Sequence, residues 1–342
     1  MKLIHVSDIH LDIPFGGMLP PEKSATRKQE IISAFEQMIE FAVSEDAKAV
    51  LITGGLIDAE HISRTTIDRV YTAIKSAQGI EFVLLPGNSY ESAFFSVEKY
   101  LPDNLKILSE LEKKVTIDDV DIYGVYEATK LPLFDDKQLN IVLASGLLNL
   151  RGFEERGISY LGLGLERTYR HGELKGGGYF CAPGSLESLA FDEGGNKGFM
   201  EIYTAGKRLS PVFVRSGKRL CYELDLDITG VGGSDAVVEN ARRELGGMPG
   251  INGAAMVHVN LTGTMDLNHI IDNKVLEKAL GREYFAVSVT DEIVFDVDGE
   301  SLTENSLRDR FIKRVSEGNE SLDLKKDIIR AGITAITGGD VF

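Results

Sequence analysis

Tryptophan is absent from this sequence and its 11 tyrosines are scattered, which argues against an aromatic platform for stacking bases. Cysteine is scarce. Cys181 and Cys221 show no C-x-x-C spacing, so they exclude a disulfide framework or a zinc knuckle and read as core thiols of a cytoplasmic protein. No apolar run approaches a membrane span, and the start, MKLIHVSD, meets a charge before any signal-length apolar core. Basic residues are in deficit, 37 against 53 acidic, for a formal net charge of −16. Residues 220–342 alone hold 12 basic and 22 acidic side chains. Such a surface repels a polyanion at long range and disfavours DNA as a ligand. One basic cluster, Lys207, Arg208, Arg215, Lys218 and Arg219, has no acid within it and reads as the solvated rim of two strands. P-loop, G-x-S-x-G and dinucleotide-binding glycine patterns are missing too.

What is present is a regular alternation. At 342 residues and 43% hydrophobic content the chain can bury two cores. Leu3–Val6, Ala49–Ile52 and Phe82–Leu85 are short apolar runs of buried strands. Between them Ile31, Ile32, Phe35, Met38, Ile39, Ala42 and Val43 keep a helical stripe with Ser24 as its expected cap. Ile67, Val70, Tyr71 and Ile74 mark a second helix that Ser63 would cap. Strand, helix, strand repeated in this way implies a parallel or mixed sheet whose strand ends lie side by side. From residue 114 the pattern changes to short strands near 115–117, 122–125, 141–144, 160–163, 179–182, 199–203 and 212–214, a second sheet packed on the first. Near residue 218 it restarts as an acidic α+β region. There strands at 220–228, 256–261 and 284–289 alternate with helices at 236–245 and 275–280. A loop carrying Asp291, Glu292, Asp296, Asp298 and Glu300 and helices near 304–317 and 323–335 follow.

The first strand ends in Asp8-Ile-His10. Ligands of open α/β sheets sit beyond the strand C-termini. An Asp and a His two residues apart leaving an extended segment there can share one cation, though a turn-capping Asp beside a packed His would read the same way.

With Asp8-x-His10, Gly54-Gly55-x-x-Asp58, Gly87-Asn88, the strand at 160–164 and Pro183-Gly184-Ser185 in order, the chain resembles the calcineurin-like metallophosphoesterases. Within them it resembles the SbcD-type DNA double-strand-break repair exonucleases, and in His10-Leu-Asp-Ile-Pro-Phe15 their YhaO-like branch. Ala255–Gly263 and Leu307–Arg314 resemble the cap domain of that branch. The resemblance implies a four-layer α/β/β/α sandwich over residues 1–218 and an α+β cap over 219–342. It also implies a manganese-dependent hydrolase with two metal ions, homodimerisation through helices of the first domain, and a partner ATPase of the SbcC or structural-maintenance type.

Against the family motifs only Asp8, His10 and Asn88 match as metal ligands. Gly55 replaces the Asp that bridges both ions, Ser89 the His that assists cleavage, and Ser145 the lone strand-end His. Leu165 and Arg167 replace the final pair of imidazoles. Two cations a few ångströms apart need a shared anion between them, and Gly55 supplies none. Asp58 retains its loop-bracing position and Glu166 sits on the fourth loop. Asp12, Glu60, His61, Glu91 and His171 are the other groups near enough in sequence to rebuild a site. Arg167, a permanent cation, is expected to fill the vacated space and pair with Asp8. Three readings follow. In the first, the chain is a nuclease-family member without hydrolysis, serving as a structural or partner-binding subunit. The second is an exonuclease or phosphodiesterase with a reduced or rebuilt metal site. The third is a phosphate or nucleotide binder.

Overall fold

The computed structural model describes residues 1–126, 131–134, 138–146, 149–266, 271–296, 306–320 and 322–336. The chain divides into two compact units, Met1–Cys221 and Tyr222–Phe342.

In the first unit the apolar runs form β1 (Lys2–Ser7), β2 (Ala49–Thr53) and β3 (Glu81–Leu85), paired in parallel so that Ser7, Thr53 and Leu85 stand in line. Three helices follow these strands: α1 (Pro21–Ser44), α2 (Arg64–Ser76) and α3 (Ser89–Val97). Ser63 caps α2 as the sequence predicts, its hydroxyl accepting from the Thr66 amide at 3.1 Å. Ser24 does not cap α1. The helix begins one turn earlier behind Pro20, because a proline at the first helical position has φ already set and no amide to satisfy.

A short β4 (Leu105–Ile107) extends the parallel sheet. Next come β5 (Lys114–Ile117), β6 (Val120–Val125), β7 (Leu139–Ser145), β8 (Tyr160–Gly164), β9 (Arg170–Glu173) and β10 (Tyr179–Ala182). The hairpin β11 (Gly198–Ala205) and β12 (Arg208–Arg215) returns to the first sheet, antiparallel to β1. Among the described residues this gives two six-stranded sheets, ordered β12-β11-β1-β2-β3-β4 and β5-β6-β7-β8-β10-β9. Leu3, Leu51, Val83 and Leu85 of one face Ile122, Ile141, Leu143 and Tyr160 of the other in a shared, fully buried core. Each such side chain contributes about 1.5–3 kcal/mol by leaving water.

One polar residue interrupts that core. His5 is fully buried, with Nδ1 2.8 Å from the Tyr160 hydroxyl and Nε2 2.9 Å from the Thr53 hydroxyl. It fits because Gly162 faces it; a Cβ there would stand 2.9 Å from the ring. A second buried polar group, Arg27 of α1, donates to Glu30 at 2.6 Å, Glu187 at 2.9 Å and the Ser188 carbonyl at 2.9 Å. Arg219 closes the network on Glu30 at 2.7 Å, and the Lys218 amide donates to Glu187. Part of the basic cluster thus neutralises buried acids and is not a phosphate surface.

In the second unit β13 (Cys221–Asp227), β14 (Met256–Thr262) and β16 (Ala286–Asp291) form a three-stranded sheet, and β15 (Thr264–Asp266) pairs with β17 (Val294–Asp296). Leu226, Val257, Val259 and Leu261 pack with Val237, Ala241 and Leu245 of α4 (Ser234–Gly246) and Leu276 and Leu280 of α5 (Asn273–Leu280). The helices α6 (Leu307–Ser316) and α7 (Leu322–Ile336) follow. Of the acidic loop, Asp298 and Glu300 lie outside the described residues.

Candidate functional site

The loops after β1, β2, β3, β7 and β8 meet at one edge of the sandwich. The Asp8 amide donates to the Gly54 carbonyl at 3.2 Å and the His10 amide to the Gly55 carbonyl at 2.6 Å, zipping the first two loops together. Gly54 and Gly87 touch so closely that a Cβ on Gly54 would lie 2.9 Å from the Gly87 Cα, and the Ser145 hydroxyl donates to the Gly87 carbonyl at 3.2 Å. Asp8, His10 and Asp12 all hold left-handed backbone angles, at φ 49°, 50° and 63°. Three alternate non-glycine residues in that region mark a loop held against its own preference, a pattern that concentrates at functional sites.

At the centre lies an unbalanced charge. Among the described residues both carboxylate oxygens of Asp8 are buried with no hydrogen-bond partner, and the nearest cation-capable atom is His10 Nε2, 3.4 Å from Oδ1. Gly55 sits at φ 60°, and a Cβ built there would stand 2.8 Å from the same Nε2 and 3.2 Å from the ring's Cε1. The His10 imidazole therefore fills the space that a side chain at position 55 would need.

The remaining sequence candidates turn away from Asp8. Arg167 does not pair with it: its guanidinium donates to Glu193 Oε1 at 2.8 Å. The reason is local. Leu165 adopts φ 62° and turns the chain, while the Arg167 carbonyl is pinned by Lys197 Nζ at 2.8 Å, beside the buried Glu193. Glu166 pairs with Arg170 and Asp58 with His61 at 2.8 Å. Asp12 accepts from the Ser63 amide at 2.8 Å, while Glu60 is exposed and His171 stacks on Tyr169. Ser89 is exposed at the start of α3, and the Asn88 side chain caps that helix by accepting from the Glu91 amide at 2.9 Å.

The residue that organises the mouth is Glu91. Its buried carboxylate accepts from the amides of Gly55 (3.1 Å), Leu56 (2.8 Å), Ile57 (3.2 Å) and Gly87 (2.6 Å). Burial pushes this carboxyl above its ordinary value, against the pull of the four donors. In the sequence it stands out as a carboxylate close to the third motif and through the spacing Asn88-x-x-Glu91, a capping-box signature.

A manganese pair does not fit these residues. Nothing anionic stands at position 55 to bridge two ions, and of the two residues that the resemblance aligns with imidazole ligands, Leu165 offers no donor and Arg167 is committed to Glu193. Among the described residues no three His, Cys, Asp or Glu side chains converge as a metal cluster. The unpartnered Asp8 carboxylate, with His10 beside it, is suited to at most one cation.

No protein-family model matches the chain. By sequence it is similar to the DNA double-strand break repair protein Mre11 of Sulfolobus acidocaldarius, 25% identical over 147 residues, covering 40% of this chain and 36% of that protein. Against the protein of the same name from Sulfurisphaera tokodaii it is 23% identical over 230 residues, covering 56% and 55%. Each match spans less than two thirds of the relative's own length. Among solved structures a dimetal phosphatase from Danio rerio superposes with a TM-score of 0.42 and 9% identity, covering 63% of this chain and 98% of that one. A Thermus thermophilus protein gives 0.40 and 11%, covering 63% and 99%.

Proposed function

We propose that this chain is a calcineurin-like metallophosphoesterase of the SbcD and Mre11 type that has lost two-metal hydrolysis and works as a structural or partner-binding subunit. The observation that carries the reading is Gly55, which offers no anion to stand between two cations and whose Cβ position lies 2.8 Å from the His10 ring. An interaction role has support of its own. On and just after α3, Tyr90, Val97 and Tyr100 are 61%, 76% and 70% exposed, large side chains open to a partner with Lys99 exposed between the last two. Proposed occupants of such a surface are a second copy of the chain or an SbcC-like ATPase.

A second reading is favoured by the Asp8 carboxylate: a reduced site in which Asp8 and His10 hold one cation and residual phosphodiesterase activity survives. The phosphate-binding alternative loses its support, since Arg167 is committed to Glu193 and the loop amides to Glu91. Single-stranded and duplex DNA incubated with the full chain and manganese should show no cleavage above the manganese-free control. Cleavage that Asp8→Ala abolishes would establish the second reading instead.

A further inference from the structure

We infer that the amides of Gly55, Leu56, Ile57 and Gly87 form an oxyanion site whose resident ligand is the chain's own Glu91 carboxylate, and that this internal anion holds the loops after β2 and β3 in place. Three consecutive amides converging from one loop make a nest of the kind that binds phosphate or carboxylate. Here a fourth amide comes from the next loop, and the four donor distances run from 2.6 to 3.2 Å. At the strand ends the Gly54 amide donates to the Leu85 carbonyl at 2.7 Å, and beyond that point Glu91 adds a side-chain link between the two loops. Gly54 and Gly87 are in bare backbone contact, and Gly55, at φ 60°, carries no side chain toward the mouth. Only two residues of α3 are buried, Glu91 and Phe95, so this carboxylate is one of two buried anchors of the helix.

The chemistry follows from occupancy. Four N–H donors converging on one carboxyl group, two to each oxygen, are costly to bury unless an acceptor meets them, and Glu91 meets all four. With Glu91 seated, the nest is closed to any external oxyanion. Without it, the same amides form an open site for a small carboxylate. This inference holds whether or not a cation binds at Asp8.

The test is chemical rescue with formate in the full chain, comparing the parent, Glu91→Ala and Phe95→Ala, the last removing the other buried anchor of α3. Glu91→Ala and Phe95→Ala should both melt below the parent. Formate should raise the midpoint of Glu91→Ala by about 3 °C and leave the other two within about 1 °C of their own values. In Glu91→Ala, formate should also shift the amide resonances of Gly55 and Gly87. Equal rescue of Phe95→Ala, or none of Glu91→Ala, overturns the inference. If Glu91→Ala does not fold, Glu91→Asp serves: its carboxylate is one methylene short of the nest. Hydrogen exchange at the Gly55 and Gly87 amides should then quicken by about tenfold with β2 unchanged, and unchanged exchange at both amides overturns the inference equally.

Discussion

Below pH 6.5 the chain should lose about 1.4 kcal/mol of stability for each unit of acidification, and His5 is the cause. The ring lies wholly inside the inter-sheet core as a neutral bridge between Tyr160 and Thr53, and burial lowers its pKa from 6.5 to about 3. A neutral imidazole can donate from one nitrogen and accept at the other, which suits two hydroxyl partners; the imidazolium cannot accept at all. In the unfolded chain His5 takes up a proton below 6.5, whereas the folded chain resists until about pH 3. The unfolded state therefore binds more protons throughout that window. Stability falls as pH falls, and this contribution is flat above 6.5. Carboxylates join below about pH 4.5. Glu30 is one of them: its burial is outweighed by hydrogen bonds from Arg219 and Arg27, which hold it below its ordinary value. Urea unfolding followed by circular dichroism between about pH 7 and about pH 5 isolates the histidine. His5→Phe should lower stability at neutral pH, because two buried hydroxyls lose their partner, and should flatten the slope. The same slope in His5→Phe would assign the effect elsewhere.

Replacing Asp8 by asparagine should stabilise the chain in chelator by about 1–3 kcal/mol. Most substitutions at a conspicuous loop residue destabilise, so the sign is diagnostic. The Asp8 carboxyl group is buried, its two oxygens have no hydrogen-bond partner among the described residues, and the His10 ring stands 3.4 Å away. A buried, unpaired carboxylate is among the costliest groups a fold can hold. Asparagine keeps the shape, tolerates the left-handed angle of 49° and carries no charge. If the pocket instead holds a cation, the same substitution removes its principal ligand, and manganese would then stabilise the parent but not the variant. Thermal unfolding of both proteins, with chelator and with manganese, separates the outcomes. Asp8→Asn should melt above the parent in chelator, with manganese moving neither.

The layout of the site was legible because it rests on local signals. Three apolar runs ending in polar loops place Asp8, Gly54-Gly55 and Gly87 at one edge, and the register of Ser7, Thr53 and Leu85 follows from the parallel pairing. That position 55 is a glycine with no carboxylate is a single letter and needs no structure to be seen. What stayed hidden depends on partners distant in sequence or on backbone angles. Arg167 finds Glu193, 26 residues on, because Leu165 turns the chain, and neither fact has a sequence signature. Asn88-x-x-Glu91 signals a helix start, but a capping box sends its acid back to its own helix. Here the acid crosses to the neighbouring loop. Arg27 sits in a helix where a charged residue reads as solvent-facing, yet Glu187, 160 residues away, draws it inside. The start of α1 differs for another reason: Ser24 reads as a cap by residue type, but the fixed φ of Pro21 starts the helix one turn earlier. The strands β4, β9, β15 and β17, each three or four residues long, are too short for an alternation to show.

The proposal that no two-metal site forms around Gly55 is tested most directly by titrating manganese into the full chain and reading stoichiometry and affinity by calorimetry. The expected result is no binding tighter than millimolar. Two equivalents bound per chain in the micromolar range would contradict it, because two ions cannot be held side by side without the carboxylate that Gly55 does not provide.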